Sequence, residues 1–504
     1  MNLLYLLRRA RDQFGNCPAT ITDDGIRTWR EFYTRVERVA AFLLTQGLEA
    51  GDRVAVLLSN GPDYLELYYA LPMAGLIAVP LNNRWGVDDF VFSLADSGSK
   101  ALITDERHAA LAEQIRAKLP DLRVLETPLG SADPAAPFVE PASDDVMGIF
   151  YTSGTTGGPK GAMLTHNNLC SNAILCHASG MSLGAVYLHA APMFHLADGA
   201  ATHVATMTGA AHAFIPVFDP GAFLDAVERH RVTATIIVPT MINMVVNHPR
   251  VETADLSSLD RILYGASPMP LPLLETAMRK LRCKFQQAYG MTETSPVQTI
   301  LQPEDHRFDN LDQTFAPVRS AGRPVIGMEI RVVDAEDREL PPGEIGEIVA
   351  RGPNVMKGYW NRPEINREVL RGGWMHTGDM GAFDANGFLY ILDRKKDMIK
   401  TGGENVYSPE VESMIVSHPD VIEAAVIGVE HERWGETIRA VAVLRSGSEL
   451  TEQGLIEYCR ARMTHFKCPT SVVFVAALPK GGTGKIQKNV LRRLYGGASN
   501  ATTA

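Results

Sequence analysis

The sequence has few cysteines, no long apolar run and no excess of positive charge. Six cysteines occur in 504 residues, and none of them forms the paired spacing that indicates a metal site. Sparse cysteines of this kind are typical of a reduced, intracellular protein, so we expect a cytoplasmic location. No uninterrupted apolar run approaches the roughly 18 residues of a membrane span. The N-terminal charges follow a very short apolar run, the wrong order for a signal peptide.

The charge balance argues against nucleic-acid binding as the principal function. The net charge is −10 at pH 7, whereas nucleic-acid-binding surfaces are basic. A local basic site for an anionic cofactor is compatible with this balance. Peripheral membrane contact and an oligomeric state are left open by the sequence.

Length and periodicity predict an α/β protein of more than one domain. A chain of 504 residues exceeds what one hydrophobic core usually organises. Helix-period and strand-period segments alternate up to about residue 390, which implies mainly parallel sheets. Thr28-x-x-Glu31 predicts a helix capping box, and Val54–Leu58 reads as a buried strand. Short strands between Gly322 and Leu392 predict a small β-rich subdomain.

The run Tyr151-Thr-Ser-Gly-Thr-Thr-Gly-Gly-Pro-Lys-Gly161 is the most informative stretch of the chain. Its glycines allow close approach of the backbone to a ligand, and its N–H groups, hydroxyls and lysine can surround an anion. A strand-like run leads into it and a helical pattern from Thr165 leads out, the usual context of a phosphate loop. The predicted phosphate-binding residues are Thr152, Ser153, Gly154, Thr155, Thr156, Gly157 and Lys160.

This loop is not a Walker A motif. That motif requires Gly-Lys followed by Ser or Thr, but Pro159 precedes the lysine here and Gly161 follows it. The second glycine-rich run, Gly481-Gly-Thr-Gly-Lys485, fails as well because Ile486 follows its lysine. A phosphotransferase of the P-loop type is therefore disfavoured.

Two further turns follow predicted strands, at the end of the strand where α/β proteins bind ligands. In Tyr289-Gly-Met-Thr-Glu-Thr-Ser295, Glu293 is placed to hold Mg²⁺ beside phosphate oxygens. A helix N-cap at Thr292, with Glu293 in the first turn, explains the same residues equally well. In Tyr264-Gly-Ala-Ser-Pro268, small residues would admit a flat base against the backbone.

Two clusters follow towards the C-terminus. His376-Thr-Gly-Asp379 and Asp393-Arg394 combine a carboxylate with an arginine, which suits ribose hydroxyls and phosphate. A turn aspartate and a surface arginine would be the ordinary explanation for either residue alone. Pro479–Lys485 is a glycine-rich loop that presents a lysine.

Together and in this order, these motifs resemble the acyl-CoA synthetase branch of the adenylate-forming superfamily, which includes fatty-acid–CoA and 4-coumarate–CoA ligase-like enzymes. The resemblance covers roughly residues 20–490 and includes Gly346–Pro353 and Gly358-Tyr-Trp360. It implies a two-step ligase. A carboxylate attacks the α-phosphate of ATP to give acyl-AMP and pyrophosphate, and CoA thiolate then displaces AMP.

The resemblance also implies roles for individual residues. Lys485 would bridge the acid carboxylate and the α-phosphate, and Thr292 with Glu293 would serve that phosphate and Mg²⁺. Asp379 and Arg394 would bind the ribose. The adenine and nucleotide pocket would be lined by Gly265, Ala266, Ser267, Ala288, Tyr289, Gly290 and Met291.

The family reorients its C-terminal domain between the two steps. The resemblance therefore implies an N-terminal adenylate-forming domain over residues 1–393, a hinge over 394–396 and a small mobile α+β domain over 397–504. Lys396 is the expected pivot. Gly402 and Gly403 would then let the pantetheine arm of CoA pass.

The acid is less well defined than the reaction. His195, in Pro192-Met-Phe-His195, is expected at the entrance of the acyl pocket. Gly290 stands where acetate-activating relatives carry Trp, which indicates a larger acyl or aryl group. No arginine stands near this segment in the sequence, which disfavours diacids. Asp198 would N-cap the following helix or contact a polar group of the substrate. Fatty and aryl acids are not separated, and Met244 with its apolar neighbours suits either.

Two other functions are compatible with the same motifs. An adenylating enzyme could pass its acyl group to a carrier protein, although no carrier-like segment follows the C-terminal domain. A non-catalytic nucleotide sensor would need neither Glu293 nor Lys485, so their presence argues against it.

Overall fold

The chain forms two compact units in the computed structural model. It describes residues 1–135, 138–152, 159–309, 311, 315–480 and 486–497. The first unit comprises Met1–Ile330 and Ala350–Met375, and the second comprises Arg331–Val349 and His376–Ala504. Among the predicted site residues, Ser153 to Gly157 and Lys485 lie outside the described residues.

The strands of the described residues are numbered in chain order. They are β1 (Pro18–Thr22), β2 (Gly25–Thr28), β3 (Arg53–Leu57), β4 (Ile77–Pro80), β5 (Ala101–Thr104), β6 (Arg123–Glu126), β7 (Val146–Thr152), β8 (Lys160–Thr165), β9 (Val186–His189), β10 (Ala211–Phe214), β11 (Ala234–Ile236), β12 (Arg261–Gly265), β13 (Lys284–Gly290), β14 (Val297–Leu301), β15 (Arg323–Pro324), β16 (Glu329–Val333), β17 (Gly346–Arg351), β18 (Gly358–Tyr359), β19 (Met375–Phe383), β20 (Leu389–Arg394), β21 (Ile399–Thr401), β22 (Glu404–Val406), β23 (Val421–His431), β24 (Gly435–Leu444) and β25 (Ser471–Phe474).

The α-helices of the same residues are numbered likewise. They are α1 (Leu3–Phe14), α2 (Trp29–Thr45), α3 (Pro62–Met73), α4 (Val87–Ser97), α5 (Ala109–Lys118), α6 (His166–Ala178), α7 (Leu196–Thr208), α8 (Pro220–His230), α9 (Pro239–Val246), α10 (Leu271–Leu281), α11 (Pro363–Val369), α12 (Ser408–Val416), α13 (Glu452–Arg460) and α14 (Lys488–Tyr495).

Two large sheets organise the first unit. Over the described residues, one sheet has the order β15-β14-β13-β12-β11-β9-β10-β1-β2 and the other has the order β18-β8-β7-β4-β3-β5-β6. The strands from β13 to β1 in the first sheet run parallel, as do those from β7 to β6 in the second. Among the described residues of these two sheets, antiparallel pairs occur only at the ends of the parallel runs. The predicted architecture of mainly parallel α/β sheets is therefore confirmed.

Local sequence signals account for much of this unit. Thr28 and Glu31 form the predicted capping box at the start of α2. The predicted apolar face of α2 is buried in a core shared with α1, α3, α6 and α7. The predicted strand Val54–Leu58 is β3, which starts one residue earlier and ends one earlier. A second core lies beneath α8, α9 and α10.

The second unit contains two smaller sheets. Over its described residues, the first sheet has the order β16-β17-β19-β20, and the second has the order β22-β21-β24-β23 with β25 beside β24. The first corresponds to the predicted β-rich segment, and turns at Pro341-Pro-Gly343 and Asn386-Gly387 separate its strands as expected. No helix in the described part of the chain is both long and apolar enough to cross a membrane.

Candidate active site

The predicted phosphate loop connects two antiparallel strands. β7 pairs with β8, so that Thr152 lies opposite Lys160 and donates from its hydroxyl to the Lys160 carbonyl at 3.3 Å. The helix predicted from Thr165 begins at His166, with Thr165 as its N-cap. β8 was not predicted, because its six residues follow directly on the glycine-rich run. The strands on either side of the predicted loop are therefore an antiparallel pair, and β8 separates the loop from the helix.

Partly buried polar contacts join the end of β7 and the segment after β18 to Asp96 of α4. The Tyr151 hydroxyl donates to Asp96 Oδ2 at 2.7 Å, and Arg362 pairs with Asp96 Oδ1 at 2.7 Å. The Trp360 indole donates to the Asp96 carbonyl at 3.0 Å. Burial raises the pKa of Tyr151, so its hydroxyl stays protonated and remains a donor. Sequence reasoning gave Asp96 no role, since nothing in its own neighbourhood sets it apart.

Glu293 and Lys160 meet at the ring of Tyr359. The Tyr359 hydroxyl donates to Glu293 Oε1 at 2.6 Å, and Lys160 Nζ lies 5.6 Å from the centre of the same ring. Tyr359 belongs to β18, which pairs with β8 beside Ala162. One tyrosine thus holds the carboxylate by a hydrogen bond and the lysine by a cation–π contact. Its place in the run Gly358-Tyr-Trp360 is the signal that could have identified it.

The segment around Glu293 is a single 3₁₀ turn, Thr292–Thr294, with Met291 in the N-cap position. The alternative of an N-cap at Thr292 is therefore wrong. Met356 N–H donates to the Glu293 carbonyl at 2.8 Å, and Asn354 donates to the Thr294 carbonyl at 2.8 Å. These bonds orient the turn from the chain segment that precedes β18. The Glu293 side chain is buried.

These residues suit a magnesium ion that is shared with phosphate. The described residues contain no group of three or more His, Cys, Asp or Glu side chains that could enclose a metal. Mg²⁺ in nucleotide sites is usually held by one or two carboxylates together with substrate phosphates and water. The single buried carboxylate of Glu293, beside Lys160, fits that arrangement.

The two predicted adenine segments are neighbours. β12 and β13 run parallel, and Gly265 lies opposite Ala288 at their carboxyl ends. A Cβ built at Gly265 would overlap the Ala288 carbonyl oxygen, and Ala266 adopts a φ of +64°. The structure therefore brings Gly265–Ser267 together with Ala288–Met291. A residue with a side chain at position 265 would prevent this close approach of the two backbones.

Gly290 is required by the backbone around it. β13 and β14 pair here with Gly290 opposite Val297, and a Cβ at 290 would overlap the carbonyl oxygen of Pro296. The interpretation of this glycine as an open pocket floor therefore has a competing explanation. Close packing of two chain segments alone accounts for the absence of a side chain.

The segment before His195 is held in place by two side chains of the core. Asn60 donates to the Ala191 carbonyl at 2.8 Å and accepts from Met193 N–H at 2.8 Å. The Tyr68 hydroxyl donates to the Met193 carbonyl. His195 Nε2 is buried and has no hydrogen-bond partner among the described residues. Its imidazole is therefore presented with one ring nitrogen unengaged.

Burial and the nearby charge of Arg84 lower the pKa of His195 to about 4, so this imidazole is neutral near pH 7. No arginine stands near the segment in the sequence, but in the fold the charge of Arg84, more than 100 residues earlier, acts on His195. The argument against diacid substrates loses that support.

Asp198 and its neighbours belong to the core. The N-cap position of α7 is His195, so the predicted capping role of Asp198 is wrong. Asp198 is fully buried and accepts from Tyr187 and His189. A Cβ at Gly199 would overlap the Tyr68 hydroxyl, so this glycine serves helix packing. In α9, Met244 is exposed while the flanking apolar residues are buried in the second core.

Asp379 and Arg394 contact each other within the second unit. They are directly opposite on the antiparallel strands β19 and β20, and Arg394 Nε lies 2.7 Å from Asp379 Oδ1. The Asp379 N–H donates to the Thr377 hydroxyl at 3.1 Å. Asp379 is buried and Arg394 is about one-third exposed. The two residues form one carboxylate–guanidinium unit and not the turn aspartate and surface arginine considered as the alternative.

The predicted hinge lies within a network of charged contacts in this unit. Asp393 Oδ2 accepts from the N–H and the hydroxyl of Ser408, both at 2.7 Å. Lys395 pairs with Glu347 at 2.8 Å. Asp397, the residue after Lys396, pairs with Arg492 of α14 at 2.7 Å.

The predicted CoA-side glycines form the turn between β21 and β22. Thr401 pairs with Glu404, and both Gly402 and Gly403 have positive φ, which is the two-residue turn of a type I′ hairpin. Gly402 donates to the Trp434 carbonyl at 2.9 Å, and the partly exposed Trp434 ring lies beside it.

Comparison with family models matches residues 7–360 to the AMP-binding enzyme family and residues 410–485 to the C-terminal domain of the same enzymes. The first match covers more than half of the chain. The chain belongs to the AMP-binding enzyme family. The predicted resemblance and the predicted fold class are thereby confirmed.

Similar proteins agree with this assignment. The chain is 42% identical over 474 residues to a feruloyl-CoA synthase of Amycolatopsis sp, covering 93% of this chain and 94% of that protein. It is 35% identical over 481 residues to the long-chain-fatty-acid–CoA ligase FadD13 of Mycobacterium tuberculosis, covering 93% of each. A solved o-succinylbenzoate CoA synthetase (MenE) of Bacillus subtilis, in complex with its acyl-adenylate intermediate, aligns with a TM-score of 0.86, 32% identity and 97% coverage of each chain.

The predicted reaction class is confirmed by these findings. The chain is an AMP-forming acid–thiol ligase, and its substrates and cofactor are a carboxylic acid, ATP, CoA and Mg²⁺. The related MenE has also been solved with ATP and a magnesium ion.

Proposed function

We propose that this chain converts an aryl carboxylic acid of the hydroxycinnamate class into its CoA thioester. The 42% identity to a feruloyl-CoA synthase, against 35% to a fatty-acid–CoA ligase, favours an aryl over a fatty substrate. A long-chain fatty acid is the second candidate. The observation that carries the adenylation chemistry is the contact of Glu293 and Lys160 with Tyr359 beside the phosphate-loop hairpin.

In the first step, the acid carboxylate attacks the α-phosphate of ATP and pyrophosphate leaves. Thr152 to Lys160 would hold the β- and γ-phosphates, and Lys160 would neutralise part of their charge. Thr292 would donate to the α-phosphate, and Glu293 would hold Mg²⁺, which supplies positive charge beside the leaving group. Lys485 would bridge the acid carboxylate and the α-phosphate. The carboxylate oxygen forms a bond to the α-phosphorus as the bond to pyrophosphate breaks, and because negative charge shifts during this exchange, positioning and electrostatic stabilisation would carry most of the catalysis.

The nucleoside would be held by backbone contacts and by one ion pair. The strand ends at Gly265–Ser267 and Ala288–Met291 would contact the adenine. Asp379 would accept from the ribose hydroxyls, and the pairing with Arg394 orients its carboxylate. His195, neutral and with a buried unengaged nitrogen, would contact the acid or the channel for pantetheine.

The second step would follow rotation of residues 397–504 about Lys396, with residues 1–393 forming the other domain. This rotation would move Lys485 out of the site and bring in the hairpin that contains Gly402 and Gly403. The pairing of Asp397 with Arg492 supports a pivot at this point, because it ties the residue after Lys396 to helix α14. A few residues that absorb a change in φ and ψ are sufficient for such a hinge.

We also propose that the protein acts in the cytoplasm. All six cysteines are free thiols in the structure, four of them buried, which suits a reducing compartment.

The separate half-reactions test the role of Lys485. We expect Lys485→Ala to lose adenylation, measured as acid-dependent ATP–pyrophosphate exchange, by roughly 100-fold or more, since the bridging charge is lost from the transition state. Thioester formation from supplied acyl-AMP should be retained. Lys480→Ala is the matched control, because Lys480 lies five residues earlier and pairs with Glu423. Equal loss of both half-reactions would contradict the assignment.

The hinge is tested by Lys396→Pro. Proline fixes φ near −65° and so restricts the rotation. We expect pyrophosphate exchange to be retained and thioester formation from supplied acyl-AMP to be lost. Overall turnover at the wild-type rate would refute the hinge at this residue.

A further inference from the structure

A chain of buried polar side chains crosses the core between α7 and the sheet beneath it. Tyr187 and His189 lie on one face of β9, and His212 lies on the same face of the neighbouring parallel strand β10. Asp198 and Thr206 lie on α7, eight residues apart. All five residues are fully buried. Polar groups are costly in a core unless they are paired, so this arrangement needs an explanation.

The hydrogen bonds form a closed connection from the helix to the sheet and back. Asp198 Oδ1 accepts from the Tyr187 hydroxyl at 2.7 Å, and its Oδ2 lies 2.6 Å from His189 Nδ1. His189 Nε2 lies 2.8 Å from His212 Nδ1, and His212 Nε2 lies 3.3 Å from the Thr206 hydroxyl. The two imidazole planes are nearly parallel, 10° apart, and their centres are 5.1 Å apart, as for rings joined edge to edge by this hydrogen bond. α7 is therefore fastened to two strands at two points along its length.

With both histidines neutral, the hydrogen atoms of this series of hydrogen bonds have one consistent arrangement. Thr206 donates to His212 Nε2, His212 Nδ1–H donates to His189 Nε2, and His189 Nδ1–H donates to the Asp198 carboxylate. Every donor then points towards Asp198. Burial lowers the pKa of His212 well below its ordinary value, which agrees with a neutral ring. An asparagine at 198 could also be accommodated, because its amide would donate to His189 if the tautomers of both histidines reversed.

At the N-terminus of α7, backbone hydrogen bonds link Asp198 to His195 of the candidate active site. The N–H groups of Asp198 and Gly199 donate to the His195 carbonyl at 3.1 and 2.8 Å. His195 is the N-cap residue of the helix, one turn before Asp198. The backbone of His195 is thus fixed to the turn that Asp198 anchors to the sheet. Its Nε2 has no hydrogen-bond partner among the described residues, and the ring packs against Phe194 with centres 4.3 Å apart. The backbone support therefore contributes to the position of the ring.

We infer that Asp198 is a positioning residue that holds His195 against the acid substrate, with Thr206 as the second anchor of the same helix. The inference rests on the proposed contact of His195 with the acid or the pantetheine channel. This role would explain why the acidic side chain of Asp198 is kept in the core, where it is fully buried. A displacement on the order of 1 Å at a substrate-positioning group can cost about 100-fold in rate.

The test compares Asp198→Ala with Asp198→Asn in the full-length chain, using ferulate as the acid. Alanine leaves the donors of Tyr187 and His189 unpaired, so we expect kcat/KM for the acid to fall at least about tenfold. Asparagine can keep the connection, so kcat/KM should stay within about threefold of the wild type. The KM for ATP should be unchanged in both variants. Thr206→Val, which removes the far anchor together with the contact of Thr206 with the Tyr69 hydroxyl, should give an intermediate loss that is again specific to the acid.

The readouts separate positioning from general destabilisation. The inference would be overturned if the KM for ATP changed as much as kcat/KM for the acid fell. It would also be overturned if Asp198→Asn lowered kcat/KM for the acid as much as Asp198→Ala. If Asp198→Ala does not fold, Thr206→Val decides the matter, and an unchanged kcat/KM for the acid would then refute the inference. His195→Ala is measured in parallel. If that variant leaves the acid constants unchanged, the proposed role of His195 fails. If it impairs them while Asp198→Ala does not, the positioning role alone fails.

Discussion

Replacing Tyr359 by Phe isolates the hydrogen bond that orients the carboxylate of Glu293. The bond is 2.6 Å long, and Glu293 is buried. Phe keeps the ring beside Lys160 and can keep the strand pairing of β18 with β8. The substitution therefore removes one hydrogen-bond donor from the buried carboxyl group of Glu293.

The expected loss follows from the strength of such a bond. A hydrogen bond to a charged group contributes about 1.5–3 kcal/mol, and each 1.4 kcal/mol corresponds to a factor of ten. If Glu293 must be oriented to hold Mg²⁺ during adenylation, the exchange rate should fall between about 10- and 150-fold. Thioester formation from supplied acyl-AMP needs no Mg²⁺–pyrophosphate contact and should stay at the wild-type rate.

The assay is acid-dependent ATP–pyrophosphate exchange across a magnesium titration. We expect the Tyr359→Phe variant to need more Mg²⁺ for half-maximal exchange. Tyr33→Phe is the matched control, because the Tyr33 ring is also buried beside a cation, Arg11, and its helix α2 holds none of the proposed site residues. Exchange within twofold of the wild type for Tyr359→Phe, at every Mg²⁺ concentration, would refute the reasoning.

Two further substitutions test other parts of the account. Gly290→Ala should cost stability, about 1–3 kcal/mol from overpacking against the Pro296 carbonyl, and should impair all acids alike; a loss confined to large acids would restore the pocket-floor interpretation. Burial, which outweighs the nearby Asp145 and Glu140, lowers the pKa of His166 to about 4. The unfolded chain therefore binds more protons between about pH 4 and 6.5, and folding stability falls as the pH drops through that range. His166→Gln should flatten this dependence by about 2 kcal/mol between pH 7 and pH 5 in urea unfolding; identical pH slopes would contradict the shift.

Local signals predicted the parts of the fold that depend on neighbours in sequence. The capping box at Thr28 and the buried strand near Val54 are properties of short segments, so periodicity and turn chemistry were sufficient. The strand β8 was missed because the preceding glycine-rich run suggested a loop followed by a helix. Its pairing with β7 and β18 is a long-range property.

In the candidate site, too, residues within short motifs were predicted, whereas partners that are distant in sequence were not. Glycines at strand ends, such as Gly265, were identified from their motifs, and the structure supplies the physical reason in the adjacent backbone. Asp96, Arg84 and Tyr359 lie far in sequence from the groups they influence, and only the fold brings them close. The capping role predicted for Asp198 was wrong because its partners are on strands, whereas capping was argued from the following helix alone.

The most direct test of the account is pyrophosphate release from ATP and Mg²⁺ across a panel of acids, with and without CoA. The panel runs from acetate through fatty acids of increasing length to benzoate, cinnamate and ferulate. We predict sustained release with cinnamate and ferulate that requires CoA, and little release with acetate. Sustained release with long fatty acids alone would contradict the proposed substrate class. Release that stops after one equivalent despite CoA would indicate another acyl acceptor, and no release with any acid, from folded protein that binds ATP, would contradict the ligase itself.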